Sequence, residues 1–555
     1  MWRPRTPVAP EAAAGEAGAE WSALQEALAR ARDELDATRA SVADRLGHHE
    51  AAIFDAQKLL LDDDALLAPA RRAIFEDGMT AARAFSDAAE ATARAYRELD
   101  DEYQRARAAD VEDVARNVLL GLLDDPGEPL SPDREVVVLA TDLTPAETAA
   151  LDPKLVLAIA TARGGPGSHS SILARSAGIP AVVGVGPRLL AVEEGTTVAV
   201  DGASGTVHVD PAPAALDDLE ARFRKEEKAA SEARAAAQGP ALTRDDVHVG
   251  VMANAGSVAD VAAAAAHGAE GIGLLRTEFV FMGRDEMPDE DEQLSVYAAA
   301  AAALEGRPLV LRTLDAGADK PLEYLAQPAE DNPFLGVRGV RLGLDQPDLL
   351  VPQLRAALRA AARHPLKIMF PMVATVEELE GALSLLDAAR DDLERAGAEV
   401  PRPEVGVMIE VPAAALLADR LAAHVDFLSI GTNDLAQYTM AAERGNDRVA
   451  SLADALHPAV LRLIAMTCDA AGAQGRQVAV CGELGGDASA TAILVGLGVK
   501  ELSMGAPAIA AVKGAIREIE VPAARRLAQA ALALDTAAEV RSMILEDGGQ
   551  SEART

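Results

Sequence analysis

His169 lies in the run GGPGSHSSILARS (164–176), where glycines lead a strand-like segment into a turn. The histidine opens a short apolar helix that Gly178-Ile179-Pro180 ends. Unpaired amides at such a helix start favour a phosphate, and a neutral imidazole placed there can act as a nucleophile and carry a phosphoryl group covalently. A structural histidine beside a glycine-rich turn fits the same segment. A second set of reactive residues closes a series of apolar segments further along: Asn254, Arg276 with Glu278, Arg312 with Asp315, Glu410, Asn433 with Asp434, and Cys481 with Glu483. Guanidinium forks match carboxylate and phosphate oxygens. Arg276 and Arg312, with Arg338 and Arg444 in loops, therefore predict a small substrate with more than one anionic group. Glu410 and Asp434 close consecutive segments and suit a Mg²⁺ shell completed by water and substrate oxygens. No His/Cys cluster accompanies them, which disfavours zinc; ion pairs with the arginines and no metal would use the same carboxylates. Cys481, between Val480 and Gly482, could give a proton to a carbanion or enolate from a thiol whose ordinary pKa is near working pH. Cys468, inside a helical stretch, reads as a small core residue.

The elements that must position these groups fall into three zones. Residues 1–16 are Pro- and Ala-rich. From Trp21 a helical period runs through Leu24, Leu28, Ala31, Leu35, Val42 and Leu46, followed by helical segments at Ala51–Leu61, Asp64–Glu76, Thr80–Glu98 and Asp110–Leu123. Residues 17–123 are thus expected to form an all-α unit. After Pro126–Pro132 the pattern changes to short β-branched runs: Val136–Ala140, Leu155–Ala160, Ala181–Val185, Thr197–Asp201 and Thr206–Val209. Together with 1–16, residues 124–210 predict a compact α/β domain around His169. Residues 211–244 read as a charged linker helix, and 536–555 as a C-terminal tail helix. Between them, 245–535 carries eight near-continuously apolar segments alternating with helical ones: Val247–Asn254, Gly271–Glu278, Pro308–Asp315, Leu366–Val373, Glu404–Val411, Phe427–Asp434, Gln477–Leu484 and Glu501–Gly505. Parallel strands buried on both faces read this way, and the count and size predict a (β/α)₈ barrel whose C-terminal mouth gathers the polar strand ends.

Composition narrows the partners. The chain has 555 residues, enough for several domains, and 88 acidic against 52 basic side chains give a net charge of −36. That sign argues against nucleic acid and anionic membranes and suits a basic protein partner. Only 3% of residues are aromatic, so Ala, Leu and Val must fill the cores. Two cysteines cannot build a disulfide framework. No apolar run reaches the roughly 18 residues of a membrane span, and no signal-peptide pattern opens the chain. A cytosolic location is expected.

Taken together, the motifs resemble one family, enzyme I of the bacterial phosphoenolpyruvate:sugar phosphotransferase system. The resembling segments are GGPGSHSSILARS (164–176), GAEGIGLLRTEF (268–279), RTLD (312–315), DNPFLGVR (331–338), GVMIEVPAA (406–414), DFLSIGTNDLAQYT (426–439), ERGND (443–447) and CGELGGD (481–487). The likeness keeps its order from about residue 17 to the C-terminus. It implies an α/β multidomain protein: a (β/α)₈ barrel, a swivelling phosphohistidine domain and an inserted all-α subdomain. His169 would be the phosphorylated histidine. Arg276, Arg312, Arg338, Asn433, Asp434 and Arg444 would hold phosphoenolpyruvate, Glu410 and Asp434 would bind Mg²⁺, and Cys481 would protonate the enolate. The helical unit 17–123 would dock the phosphocarrier protein HPr, and the barrel would form a homodimer.

Two departures stand out. Gly167 occupies the position where relatives usually carry threonine, removing a hydroxyl beside the histidine. Relatives also open with an additional strand, so the phosphohistidine domain is expected to lack its first strand and leave an edge exposed. A misplaced start codon accounts for this, and mass spectrometry finding a native N-terminus at Met1 would exclude it. Pyruvate,phosphate dikinases and phosphoenolpyruvate synthases share the histidine domain and barrel but need an ATP-grasp domain not recognised here. A nitrogen-regulatory paralogue would carry a further sensory domain. The remaining alternative is a regulatory paralogue that binds phosphoenolpyruvate without turnover.

Overall fold

The computed structural model describes residues 15–46, 54, 57–97, 102–123, 132, 134–165, 168–202, 204–317, 322, 324–325, 328, 330–443, 446 and 449–552. Two units divide the chain, Met1–Arg224 and Lys225–Thr555, and the division falls within the charged helix Pro213–Ala236.

In the first unit the helices Ala17–Leu46, Asp64–Phe75, Ala81–Arg97 and Glu102–Leu122 pack on one core. Leu24, Leu28, Leu35 and Val42 are buried against Leu66, Ile74, Phe85 and Val118. Alanines 81, 82, 84, 88, 89 and 93 line the buried face of the third helix. Their small side chains let neighbouring backbones approach, which is how a chain poor in aromatics still fills its interior. The expected helix 51–61 falls partly outside the described residues. The last helix starts at Glu102 rather than Asp110, because Glu102–Ala109 carries good helix formers that need no apolar stripe to continue the ladder.

The α/β part holds a parallel sheet of β1 (Val136–Ala140), β2 (Val156–Thr161) and β3 (Ala181–Val182), and an antiparallel pair, β4 (Val198–Asp201) with β5 (Thr206–Val209). β3 is shorter than the run Ala181–Val185, since Gly184 and Gly186 adopt φ of +70° and +95° and turn the chain out of the sheet. Arg116 Nη1 reaches Glu147 Oε1 at 2.5 Å, tying the last long helix to the helix Pro145–Ala150.

The second unit is a closed barrel of eight parallel strands. These are β6 (Gly250–Ala255), β7 (Ile272–Leu275), β8 (Leu309–Arg312), β9 (Leu366–Phe370), β10 (Val405–Ile409), β11 (Phe427–Ile430), β12 (Gln477–Val480) and β13 (Glu501–Met504), with β13 pairing back onto β6. Leu274, Val310, Met369, Met408 and Cys481 form a separate cluster from strands and strand ends, with Phe427 against it. A Cβ on Gly406 would lie 2.3 Å from the Phe427 ring, so glycine is what admits that ring beside β10. The strands stop earlier than the apolar runs: Asn433 and Asp434 belong to the first turn of the helix Thr432–Met440. The C-terminal helix Ala537–Glu552 is no free tail, because Val540 is buried in the barrel core with Met543 and Ile544 packed against it. Among the described residues no helix is long and apolar enough to cross a membrane.

Candidate active site

The helix His169–Ser176 begins at the histidine. Ser168 caps it, accepting from the Ser171 amide at 3.3 Å, and the Ser168 and Ser171 hydroxyls stand 2.8 Å apart. Ser171 also donates to the Gly165 carbonyl at 3.0 Å, pinning the glycine turn to the helix. Ala177 ends the helix and Gly178 follows at φ +73°, a left-handed exit that stops it. The turn is therefore built to hold position 169 at a helix start. Gly167 lies outside the described residues.

At the barrel mouth four strands carry a predicted site residue at or just past their ends. Arg312 is the last residue of β8, while Arg276, Glu410 and Cys481 directly follow β7, β10 and β12. Parallel pairing sets Ile409 beside Ile430, so Glu410 and the helix start carrying Asp434 leave neighbouring strands at one level. The Arg312 guanidinium contacts Glu278 and lies 3.2 Å from Asp315. Asp315 also takes Arg338 in a two-pronged grip, Nη2 to Oδ2 at 2.9 Å and Nε to Oδ1 at 3.3 Å. Arg338 Nη1 extends to Asp434 at 3.4 Å and to the Tyr438 hydroxyl at 3.3 Å. Asn433 and Glu483 exchange two hydrogen bonds of 3.0 Å. Arg276 is exposed at the rim, while Arg444 lies outside the described residues.

Charge does not balance inside this mouth. The guanidiniums of Arg312 and Arg338 face the carboxylates of Glu278, Asp315, Glu410 and Asp434, all buried, so two negative charges are left over if all ionise. Burial raises Glu410, Asp434 and Asp315 add to it, Arg312 and Arg338 oppose it, and the carboxyl ends up at about 8. For both arginines burial acts to lower the pKa, but the carboxylates win and raise it, Glu278 first for Arg312 and Asp315 first for Arg338. A divalent cation would offset that excess, and the donors present are oxygens, which would suit Mg²⁺. Among the described residues no group of three or more His, Cys, Asp or Glu could hold a metal. Glu410 and Asp434 would thus need substrate and water oxygens to complete a shell. Anion binding has its own mark: the buried Arg312 Nε has no hydrogen-bond partner in the protein, a donor left for a ligand oxygen.

Two features of this mouth were not legible in sequence. Met372 adopts φ +58°, a conformation costing about 1–2 kcal/mol for a residue with a side chain, and its amide donates to Glu410 Oε1 at 2.6 Å. A Cβ on Gly431 would lie 2.9 Å from Glu410 Oε2, so glycine clears the space that carboxylate occupies. The second concerns Cys481. Burial pushes its thiol up to about 11, with Glu410 adding to it and Ser429, Arg312 and Arg276 opposing. In place of a near-neutral pKa, the thiol stays protonated at neutral pH.

Comparison with known proteins gives the family. Models of PEP-utilising enzymes match residues 2–107 (N-terminal), 132–205 (mobile domain) and 230–521 (PEP-binding domain). The phosphoenolpyruvate-protein phosphotransferase of Geobacillus stearothermophilus is 44% identical over 95% of this chain and 91% of its own. That of Bacillus sp. (strain S) is 43% identical over 98% and 95%. The multiphosphoryl transfer protein of Xanthomonas campestris pv. campestris is 46% identical over 95% of this chain and 63% of its own length. Within the PEP-utilising enzymes, the chain belongs to the phosphoenolpyruvate-protein phosphotransferase family.

Proposed function

We propose that the protein transfers the phosphoryl group of phosphoenolpyruvate to His169, releases pyruvate, and passes the group to a histidine of the carrier HPr, the first step of the sugar phosphotransferase system. The observation that carries this reading is the charge pattern of the mouth: buried carboxylates in excess, beside an arginine donor with no protein partner. Arg276 and Arg312 would take the anionic groups of the substrate, with Arg338, Asn433 and Arg444 assisting. Glu410 and Asp434 would hold Mg²⁺, which when bound spreads the charge of the phosphate and carboxylate oxygens.

In the transfer the bridging P–O bond of the enol phosphate breaks and a P–N bond forms to His169. The carbonyl-bound CH₂ terminus of the enolate takes the proton of Cys481, giving pyruvate, and water reprotonates the thiolate. A thiol held near 11 is charged with its proton at neutral pH, so the donor is ready when the enolate forms.

The two units favour a division of labour. The histidine would swing between the mouth and a carrier docked on the helical part 17–123, and the barrel would pair as a homodimer in the cytoplasm. The acid excess of 88 against 52 suits a basic carrier.

Incubation with labelled phosphoenolpyruvate and Mg²⁺, without ATP, tests the reading. Label is expected on the wild type and not on His169→Ala, with pyruvate formed in equal amount and label moving on to HPr. Label elsewhere, or none on the wild type, overturns it; binding without label would leave the regulatory paralogue.

A further inference from the structure

Behind the mouth, between the strands and the outer helices, lies a chain of buried polar side chains. Gln353, on the helix Pro347–Ala361, and Gln293 and Tyr297, on the helix Glu290–Ala302, are fully buried, as is Thr277 between Arg276 and Glu278. The Leu314 amide donates to Gln353 Oε1 at 2.8 Å. An amide N–H can only donate, which fixes the orientation of the Gln353 carboxamide. Its Nε2 then donates to Thr277 Oγ1 at 3.1 Å and to the Tyr297 hydroxyl at 3.0 Å. Thr277 in turn donates to the Arg312 carbonyl at 2.9 Å, and the Tyr297 hydroxyl donates to Gln293 Oε1 at 3.2 Å. Gln293 Nε2 ends the run on the Pro288 carbonyl at 3.0 Å. Every bond has one direction, and reversing any one leaves a buried group unpaired.

We propose that Gln353 is a positioning residue for the phosphoenolpyruvate site, and this rests on the function proposed above. One carboxamide grips the segment after Arg276 and, through Thr277 and Leu314, the backbone on both sides of Thr313, immediately after Arg312. The two arginines leave neighbouring strands, and side-chain flexibility alone would let their guanidiniums wander. Cross-tying their backbones fixes the spacing of the anion grip. An apolar side chain of the same volume would fill the layer equally well but would leave the Leu314 amide unpaired and the Thr277 hydroxyl free to turn from the Arg312 carbonyl.

Two arms of one network separate positioning from plain stability. Gln353→Met and Thr277→Val cut the arm that reaches the arginine segments, Gln293→Met cuts the far arm, and Thr277→Ser keeps the hydroxyl. The full-length proteins are compared for the KM of phosphoenolpyruvate, kcat and thermal midpoint. Gln353→Met and Thr277→Val are expected to raise KM about 10- to 100-fold, the size seen when outer-shell support of a site is lost. The thermal midpoint should fall by a similar amount in Gln353→Met and Gln293→Met, while Gln293→Met and Thr277→Ser keep a KM close to wild type. An unchanged KM in Gln353→Met, or an equal rise in Gln293→Met, overturns the positioning role. Should Gln353→Met not fold, the contrast of Thr277→Val with Thr277→Ser decides. A wild type unable to use phosphoenolpyruvate would instead sink the proposed function, and the positioning role with it.

Discussion

At the N-terminal floor of the barrel a single ammonium, Lys513, is wrapped by the carbonyls of Ala237, Gly239 and Gly268 at 2.8–2.9 Å, with Glu270 at 3.3 Å. At the C-terminal mouth two buried guanidiniums share four buried carboxylates, and one guanidinium nitrogen is left without a partner. All three donors of the Lys513 ammonium are thus taken up by the protein. The mouth has more buried carboxylates than buried guanidiniums, and its Arg312 Nε has no partner in the protein. Both ends bury ions, but protein groups complete the shell of Lys513 while the mouth keeps carboxylates in excess, the pattern expected of a ligand site rather than a purely structural cluster.

Cutting the mouth should show the larger effect. Arg312→Leu leaves Glu278, Asp315 and Glu410 without their shared cation. Its kcat/KM for phosphoenolpyruvate should fall by roughly 10³-fold, of the size seen when a preorganised charge donor is removed. Steady-state kinetics with Mg²⁺ reads this, and a loss below tenfold would mean that the arginine serves only the fold. Lys513→Met cuts the floor. Three carbonyls lose their ammonium donor and Glu270 keeps His248 and the Ala241 amide, and the barrel should weaken by about 3–5 kcal/mol in urea unfolding. The KM for phosphoenolpyruvate should stay unchanged; a KM that moved with stability would erase the contrast between the two ends.

Cys481→Ala probes the mouth more gently, since it removes the proposed proton donor and no charge. The kcat should drop about 10²-fold, within the range for a lost general acid, while KM stays near the wild-type value. The smallest effect belongs to Glu501 at the start of β13, whose carboxyl burial raises to about 7 from an ordinary 4.5, with Glu270 adding and Lys367 and His248 opposing. A raised pKa means the folded state holds a proton that the unfolded state has lost. Stability from this group is therefore full below about pH 4.5 and is lost as pH rises through about 7. Glu501→Gln should gain on the order of 1–3 kcal/mol over wild type above pH 7, a gain that shrinks towards pH 4.5. Thermal melts across that range check it, and a gain that is flat with pH would mean the carboxyl is not held neutral.

Much of this was legible in the residues. A parallel barrel must alternate apolar strands with helices, so the eight segments could be counted, and Arg312, Glu410 and Cys481 stood at their ends because the side chain after a buried strand is the first free to meet solvent or ligand. Boundaries were less legible. Asn433 and Asp434 looked like strand ends but open a helix, since an apolar run does not say where backbone pairing stops. Asp315 could be seen, but its two-pronged hold on Arg338 from 23 residues away could not. Gln353 gave no sign, because a lone glutamine in an apolar helix face has the same spelling whether it faces solvent or a buried network.

The sequence by itself determined the classes of part: a histidine at a helix start, eight barrel strands, and reactive residues at strand ends. Periodicity, turn chemistry and residue type act over short stretches of chain and are written there. Tertiary structure alone decided which charges share a space and which have no partner. It set the Cys481 thiol near 11, turned the Met372 amide onto Glu410 and aimed Gln353 at both arginine segments. Each depends on groups distant in the chain being brought within a few ångströms and cut off from water, where burial and Coulomb energy become large enough to set chemistry.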